Sequence, residues 1–154
     1  MEEALALAAE AAQEGEIPVG AVIVDRDGVV IGRGRNRRES GDPLGHAEIY
    51  AIAEAARVVG DWRLERTTMV VTLEPCAMCA GALVNARVAK LIFGASDPKA
   101  GFCGTLGNLV QDVRLNHRLE VVGGVAAEES RRLLQEFFQG LRKRSQVTER
   151  WQSG

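Results

Sequence analysis

The fold of this chain is decided by the stretch from Thr67 to Cys79, which reads TTMVVTLEPCAMC. Its first part, Thr67–Leu73, is rich in β-branched and apolar residues and predicts a buried strand. Pro75 then opens a helix, because proline is favoured in a first turn, where its missing N–H leaves no bond unmade. A strand that passes directly into a helix is typical of a sheet covered by helices. Cys76 and Cys79 lie where the strand gives way to the helix.

On both sides of this stretch, strands alternate with helices. Asp27-Gly28 between two β-rich runs is a strong hairpin signal. The upstream elements are a helix over Met1–Gln13, strands over Val19–Asp25 and Val29–Gly34, a loop over Asn36–Gly45 and a helix over His46–Val59. The downstream elements are a helix from Pro75 to about Asn85, a strand over Ala89–Gly94, a glycine-rich loop over Ala95–Gly107, a strand over Leu119–Val122 and a closing helix over Ala126–Arg144. This order predicts an α/β protein, a three-layer α/β/α sandwich around a central mixed five-stranded sheet.

The composition is typical of one soluble globular domain over residues 1–154, with 46% hydrophobic and 26% charged residues. No apolar run approaches the roughly 18–20 residues of a membrane helix, so no membrane partner is expected. The net charge of -2 argues against a chain coated in nucleic acid. A local exception is residues 131–150, with five arginines and one lysine against two glutamates. The opening Met1-Glu2-Glu3 lacks the basic region of a secretory signal and predicts a cytoplasmic protein.

Three soft ligands and one carboxylate fall where a strand or loop passes into a helix. His46 and Glu48 open one helix, and Cys76 and Cys79 open the next, where thiolates are stabilised. One histidine and two thiolates leave the fourth position of tetrahedral Zn²⁺ for water, which indicates a catalytic site. Zinc lowers the pKa of its water to about 7, and Glu48 is the carboxylate that spacing places nearby to collect the proton.

Two other interpretations of the cysteines stay open at this point. Cys76 and Cys79 have the spacing of a redox pair. They also fit half of a closed structural zinc site, for which Cys103 and His117 are the candidate fourth ligands. The position of Glu48 favours the catalytic interpretation, and Cys103 is more simply a small buried side chain.

The sequence resembles the cytidine-deaminase-like superfamily and, within it, the bacterial tRNA-specific adenosine deaminases. The zinc motif is His46-Ala47-Glu48 with Glu74 to Ala82 (EPCAMCAGA), an established zinc-deaminase signature that by itself indicates only the superfamily. Further matches extend over nearly the whole chain, at Ile17 to Val22 (IPVGAV), Asn36, Asp42-Pro43, Trp62-Arg63-Leu64, Phe93-Gly94-Ala95, Asp97-Pro98-Lys99, Asn116-His117 and Phe137-Phe138.

The resemblance implies zinc-dependent deamination of adenosine to inosine at the wobble position of an arginine tRNA, by a homodimer that binds the anticodon stem-loop. His46, Cys76 and Cys79 would hold one zinc per chain. Glu48 would take a proton from the zinc-bound water, which attacks C6 of adenine, and would deliver protons to the ring and the departing ammonia. The remaining implied contacts are Asn36 with the flipped nucleotide, the Ala47 amide with the base, Asp97 and Lys99 with neighbouring nucleotides, and Phe138 with the anticodon strand.

Some of these residues have simpler interpretations. Asn36 and Asp97 are also common turn residues, and the arginines between Arg33 and Arg38 could be a solvated face. Leu44-Gly45 replaces an expected threonine-alanine, and the loop from Gly101 to Gly104 also departs from the family pattern. These departures concern loop contacts and leave the chemistry intact.

The closing helix combines an apolar stripe with basic residues. Leu134, Phe137 and Leu141 share a face that is predicted to dock the helix on the sheet. Phe138 lies at the edge of that face, either in the core or as a stacking platform beside phosphates bound by Arg142 and its neighbours.

Two rival functions remain at the level of sequence. One is deamination of a free base or nucleoside, such as cytosine, cytidine or guanine, by the same zinc and Glu48. The other is a zinc-stabilised RNA-binding module without catalysis, against which Glu48 and the three-ligand count argue.

Overall fold

A computed structural model describes residues 1–152, with side chains described through residue 145. The elements in this part of the chain are α1 (Glu2–Gln13), β1 (Gly20–Val24), β2 (Val30–Arg35), α2 (Ala47–Val59), β3 (Thr68–Leu73), α3 (Ala77–Asn85), β4 (Lys90–Ala95), β5 (Glu120–Val122) and α4 (Ala127–Gln152). The type and order of the predicted elements are confirmed. No helix within residues 1–152 combines the length and apolar character that crossing a membrane requires.

The strands form one mixed sheet in the order β2-β1-β3-β4-β5. β1 is antiparallel to β2 and β3, whereas β3, β4 and β5 run parallel. Helices α1 and α4 contact each other on one face of the sheet, and α2 and α3 contact each other on the other. The predicted five-stranded three-layer architecture is therefore confirmed, and the core lies on the α2 and α3 side.

Glycines in β2 bring α2 unusually close to the sheet. A Cβ on Gly34 would lie 1.9 Å from the carbonyl oxygen of Ala47, and one on Gly32 would lie 2.2 Å from that of Ala51. Both distances are far inside van der Waals contact, so only glycine fits at these positions. The close approach fixes the first turn of α2, which follows directly on His46.

The start of α3 differs from the prediction that Pro75 opens the helix. The helix begins at Ala77, and Cys76 is its N-cap, with an extended backbone at φ -71 and ψ 175. Cys76 forms an isolated antiparallel bridge with Gly101, and the N–H of Phe102 donates to the Pro75 carbonyl at 2.9 Å. Because these non-local contacts hold residues 75–76 extended, the helix starts two residues later than predicted.

The closing helix also departs from the prediction. It continues to Gln152 instead of ending at Arg144, since no glycine or proline interrupts residues 145–152 and the apolar spacing used for the prediction stops at Leu141. Phe137 is 9% exposed, but Leu141 is 38% exposed. The packing partners of α4 are β3, β4 and α1, and the prediction that Leu141 docks on the sheet is wrong because that position lies a turn past the buried part of the stripe.

Candidate active site

Three side chains from two distant parts of the sequence meet at the N-termini of two helices. His46 is the N-cap of α2, Cys76 is the N-cap of α3, and Cys79 lies in the first turn of α3. The Nδ1 atom of His46 is 3.6 Å from the Sγ of Cys76 and 3.5 Å from the Sγ of Cys79. The two helix N-termini therefore bring the three predicted ligands into one cluster.

The spacing within this cluster fits zinc. A tetrahedral Zn²⁺ bonded to nitrogen at about 2.1 Å and to sulfur at about 2.3 Å holds those two atoms about 3.6 Å apart. Both histidine–cysteine distances agree with this value. Among the residues whose side chains are described, these three form the only group of histidine, cysteine or acidic side chains that could hold a metal ion. The donor set thus suits zinc and leaves one of its four positions for water.

The two other candidate ligands point elsewhere. The Nε2 atom of His117 lies 2.7 Å from the carbonyl oxygen of Val88. The Cys103 thiol is buried and faces the Pro75 carbonyl oxygen at 3.8 Å. Neither belongs to the ligand cluster, so the described side chains do not support a closed four-ligand structural site.

Glu48 is a buried carboxyl group next to the cluster. It is the second residue of α2 and is only 4% exposed. Burial raises the pKa of Glu48 to about 7. A carboxyl group with a pKa near neutrality is suited both to accept and to donate a proton.

The two thiols of the cluster have opposite acidities. A hydrogen bond from Cys79, assisted by one with His46, lowers the pKa of Cys76 to about 4. The same hydrogen bond to Cys76, together with burial, raises the pKa of Cys79. Zinc binds cysteine as the thiolate, so metal binding at this pair is coupled to proton release.

A cavity of about 160 Å³ opens onto the cluster. The polar residues that line it include Asn36, His46, Glu48, Glu74, Cys76 and Asp97. Ala47 is fully buried, and as the first residue of α2 its N–H has no acceptor within the helix. Asn36 and Asp97 thus lie at the same cavity as the ligand cluster.

The other predicted substrate residues lie away from the cavity lining. Lys99 is exposed and follows Asp97 in a turn, where the Asp97 carboxylate accepts the N–H groups of Lys99 at 2.9 Å and Ala100 at 3.2 Å. Phe138 is 40% exposed, with its ring edge-to-face against Phe137. Arg142 is exposed on α4.

Two buried glutamates near the cavity were assigned no role from the sequence, although Glu74 opens the quoted zinc motif. Glu16 is 4% exposed and accepts the Nδ2 of Asn36 at 3.4 Å and the N–H groups of Glu39 and Ser40 at 2.9 Å each. Glu74 is 2% exposed, and its carboxylate binds the loop after β4. Burial opposes its ionisation, but hydrogen bonds from Thr105 and from backbone amides outweigh this and lower the pKa of Glu74.

Comparisons with known proteins agree with this site. The family described as MafB19-like deaminase matches residues 1–142. The chain is 50% identical to the tRNA-specific adenosine deaminase of Bacillus subtilis (strain 168) over 148 residues, which are 96% of this chain and 91% of that protein. It is also 50% identical over 149 residues to the tRNA(Ile)-lysidine synthase of Deinococcus radiodurans, covering 96% of this chain but 25% of that protein.

A solved structure agrees in fold as well as in sequence. It comes from work on A-to-I editing by tRNA deaminases at the wobble position of transfer RNA, and it superposes with a TM-score of 0.82 at 42% identity. The match covers 87% of this chain and 97% of that one. The chain therefore belongs to the deaminases of the cytidine-deaminase-like fold and, within them, to the family of tRNA-specific adenosine deaminases.

Proposed function

We propose that this chain is a zinc-dependent deaminase that converts adenosine to inosine at the wobble position of a tRNA anticodon in the cytoplasm. The observation that carries the proposal is the cluster of His46, Cys76 and Cys79, spaced for an open zinc site beside the buried Glu48. The 50% identity to a tRNA-specific adenosine deaminase supports the choice of base and of nucleic acid. The resemblance favours an arginine tRNA as the substrate.

His46, Cys76 and Cys79 would hold the zinc, which supplies Lewis-acid activation of a water molecule. Glu48 then serves as the proton carrier. It accepts a proton from the water and returns protons to the purine ring and to the amino group on C6, which leaves as ammonia. The net reaction adds one water to adenosine and yields inosine and ammonia. Its burial next to the ligand cluster suits Glu48 to both halves of this task.

We propose that Asn36 and Ala47 hold the base. Asn36 is 6% exposed and lines the cavity, and its Nδ2 faces Glu16 at 3.4 Å. The other polar atom of this side chain, Oδ1, would accept a hydrogen bond from the flipped nucleotide. The Ala47 N–H at the start of α2 is a donor for the same base. A base must leave its stack to enter this cavity, which costs least for a nucleotide in a single-stranded loop.

We assign the outer contacts to Asp97 in the cavity lining and to three exposed residues outside it, Lys99, Phe138 and Arg142. Asp97 and Lys99 would contact the neighbouring nucleotides from their turn. Phe138, at 40% exposure, is more accessible than a core residue, which favours stacking on the anticodon strand. Arg142 would bind a phosphate on the same side. We also propose that the protein acts as a homodimer.

The experiment compares purified, zinc-loaded protein on three substrates: an anticodon stem-loop with adenosine at the wobble position, free cytidine and free guanine. Inosine at the wobble position alone, read by nuclease digestion and mass spectrometry, is the expected result. Faster deamination of a free base or nucleoside would instead establish the rival function. Tight binding of the stem-loop without inosine formation would indicate an RNA-binding module.

A further inference from the structure

Glu74 is a buried carboxylate that the proposed mechanism does not use. It follows the last residue of β3 and precedes Cys76 by two positions. Its backbone N–H donates to the Ala95 carbonyl at 2.8 Å, and the residue is 2% exposed. A buried carboxylate is costly unless hydrogen bonds satisfy it, so its partners indicate what it does.

All four hydrogen bonds that the Glu74 carboxylate accepts come from one segment. We call this segment, residues 97–105, the wall loop. Oε2 accepts the N–H of Asp97 at 3.0 Å and the hydroxyl of Thr105 at 2.5 Å. Oε1 accepts the N–H of Cys103 at 3.1 Å and the N–H of Thr105 at 3.0 Å. One side chain therefore ties both ends of the wall loop to the end of β3.

The wall loop closes tightly around this carboxylate. A Cβ on Gly101 would lie 2.4 Å from the Cδ of Glu74, so the loop backbone leaves room for the carboxylate and for nothing more at that position. The same loop contributes Asp97 and Ala100 to the lining of the cavity, which Asn36 also lines. The position of Glu74 thus determines where one wall of the cavity stands.

We propose that Glu74 is a positioning residue, whose carboxylate holds the wall loop against the cavity and thereby sets the affinity for the nucleotide that enters it. This inference rests on the proposed function, since the ligand is the anticodon loop. Glu74 acts through the wall loop and takes no part in proton transfer. Its effect is therefore on substrate binding rather than on the chemical step.

The hydrogen-bond pattern requires a carboxylate rather than an amide. The amide of a Glu74→Gln variant has two orientations. With its NH₂ group in the place of Oε2, that group would face the Asp97 N–H. With the NH₂ group in the place of Oε1, it would face the N–H groups of Cys103 and Thr105. Backbone N–H groups are donors only, so either orientation leaves at least one of them without an acceptor. Shape is preserved while the attachment of the wall loop is weakened.

The experiment measures binding and loop exchange in the zinc-loaded protein. Binding of a fluorescein-labelled anticodon stem-loop is followed by anisotropy in a Glu48→Ala background, in which turnover is expected to be too slow to consume the ligand. We expect Glu74→Gln to raise the Kd about tenfold, as for loss of one charge-assisted hydrogen bond. Hydrogen exchange of the wall loop is expected to speed up while β3 stays protected. Zinc content is expected not to change, because the bond from the Ala80 N–H to the Cys76 carbonyl, at 2.8 Å, does not involve Glu74.

Three further variants separate this role from a general loss of structure. Glu120→Gln makes the same change at a surface ion pair with Lys90 and should leave both Kd and exchange unchanged. Thr105→Val removes only the hydroxyl bond to Glu74 and should raise the Kd by less than Glu74→Gln does. Thr105→Ser keeps a hydroxyl group and should have the wild-type Kd. Because Thr105 is exposed, these two variants decide the question even if Glu74→Gln does not fold.

A Kd within twofold of wild type, with faster exchange in the wall loop, would overturn the proposal and leave Glu74 a purely structural residue. Unchanged exchange would overturn it too. A wild-type protein that binds the stem-loop but forms no inosine would refute the proposed function alone, because the binding and exchange comparisons do not require turnover.

Discussion

Gly34→Ala tests whether the close contact between β2 and α2 positions the active site. The added Cβ would lie 1.9 Å from the Ala47 carbonyl oxygen and 2.8 Å from the Ala51 nitrogen. Ordinary contact begins near 3.4 Å, so the start of α2 has to move about 1.5 Å away from the sheet. That turn carries His46 and Glu48, so the shift is transmitted directly to the site.

Two magnitudes follow from this displacement. Overpacking of a well-packed interior costs about 1–3 kcal/mol, which should lower the free energy of unfolding by that amount without unfolding the domain. A misplacement of about 1 Å at a catalytic group costs on the order of 100-fold in rate, so kcat/KM for the anticodon stem-loop should fall by at least that factor. Urea unfolding and single-turnover inosine formation measure the two effects.

Gly81→Ala is the matched control, because it makes the same chemical change in α3, close to Cys79. Its Cβ would meet only the Cδ2 of Leu109, at an ordinary 3.7 Å. Alanine in a helix interior is favoured over glycine, so this variant should gain about 1 kcal/mol and keep its activity. Wild-type stability and rate in Gly34→Ala would refute the argument that the glycine contact positions α2.

Three further predictions follow from the site and from the closing helix. Cys76→Ala or Cys79→Ala should lose zinc and activity together, as measured by elemental analysis and inosine formation, and a fully active protein without metal would contradict the ligand assignment. Glu48→Ala should retain zinc and fold but lose roughly 10⁴-fold or more in turnover, since one carboxylate serves several proton transfers; near-normal single-turnover rates would remove Glu48 from the mechanism. Deleting Arg142 to Gly154 should weaken tRNA binding and reduce the salt dependence by about one unit of log–log slope per lost phosphate contact, with zinc content unchanged, whereas an unaltered slope would mark this basic tail as a solvated face.

The sequence alone was sufficient for the elements and for the residue types of the site. Strands and helices follow from the spacing of apolar residues and from local turn signals, such as Asp27-Gly28 between β1 and β2, which depend on neighbours in the chain. His46, Cys76 and Cys79 were identifiable because soft ligands at helix starts are rare and chemically specific. The apolar spacing missed the end of α4, because the stripe stops at Leu141 although nothing in residues 145–152 breaks the helix. Local signals also missed the start of α3 and the exposure of Leu141, which depend on contacts with distant parts of the chain.

Only the tertiary structure decided how these parts meet. Ligands 30 and 33 residues apart come within 3.6 Å of one another because α2 and α3 pack on the same face of the sheet. The tertiary structure also places the Cys103 thiol against the Pro75 carbonyl rather than in the cluster. It brings four hydrogen-bond donors to the Glu74 carboxylate, and the sequence does not indicate these contacts. Hydrogen bonds between distant segments depend on three-dimensional proximity. The sequence therefore does not distinguish a buried, hydrogen-bonded carboxylate from one on the surface.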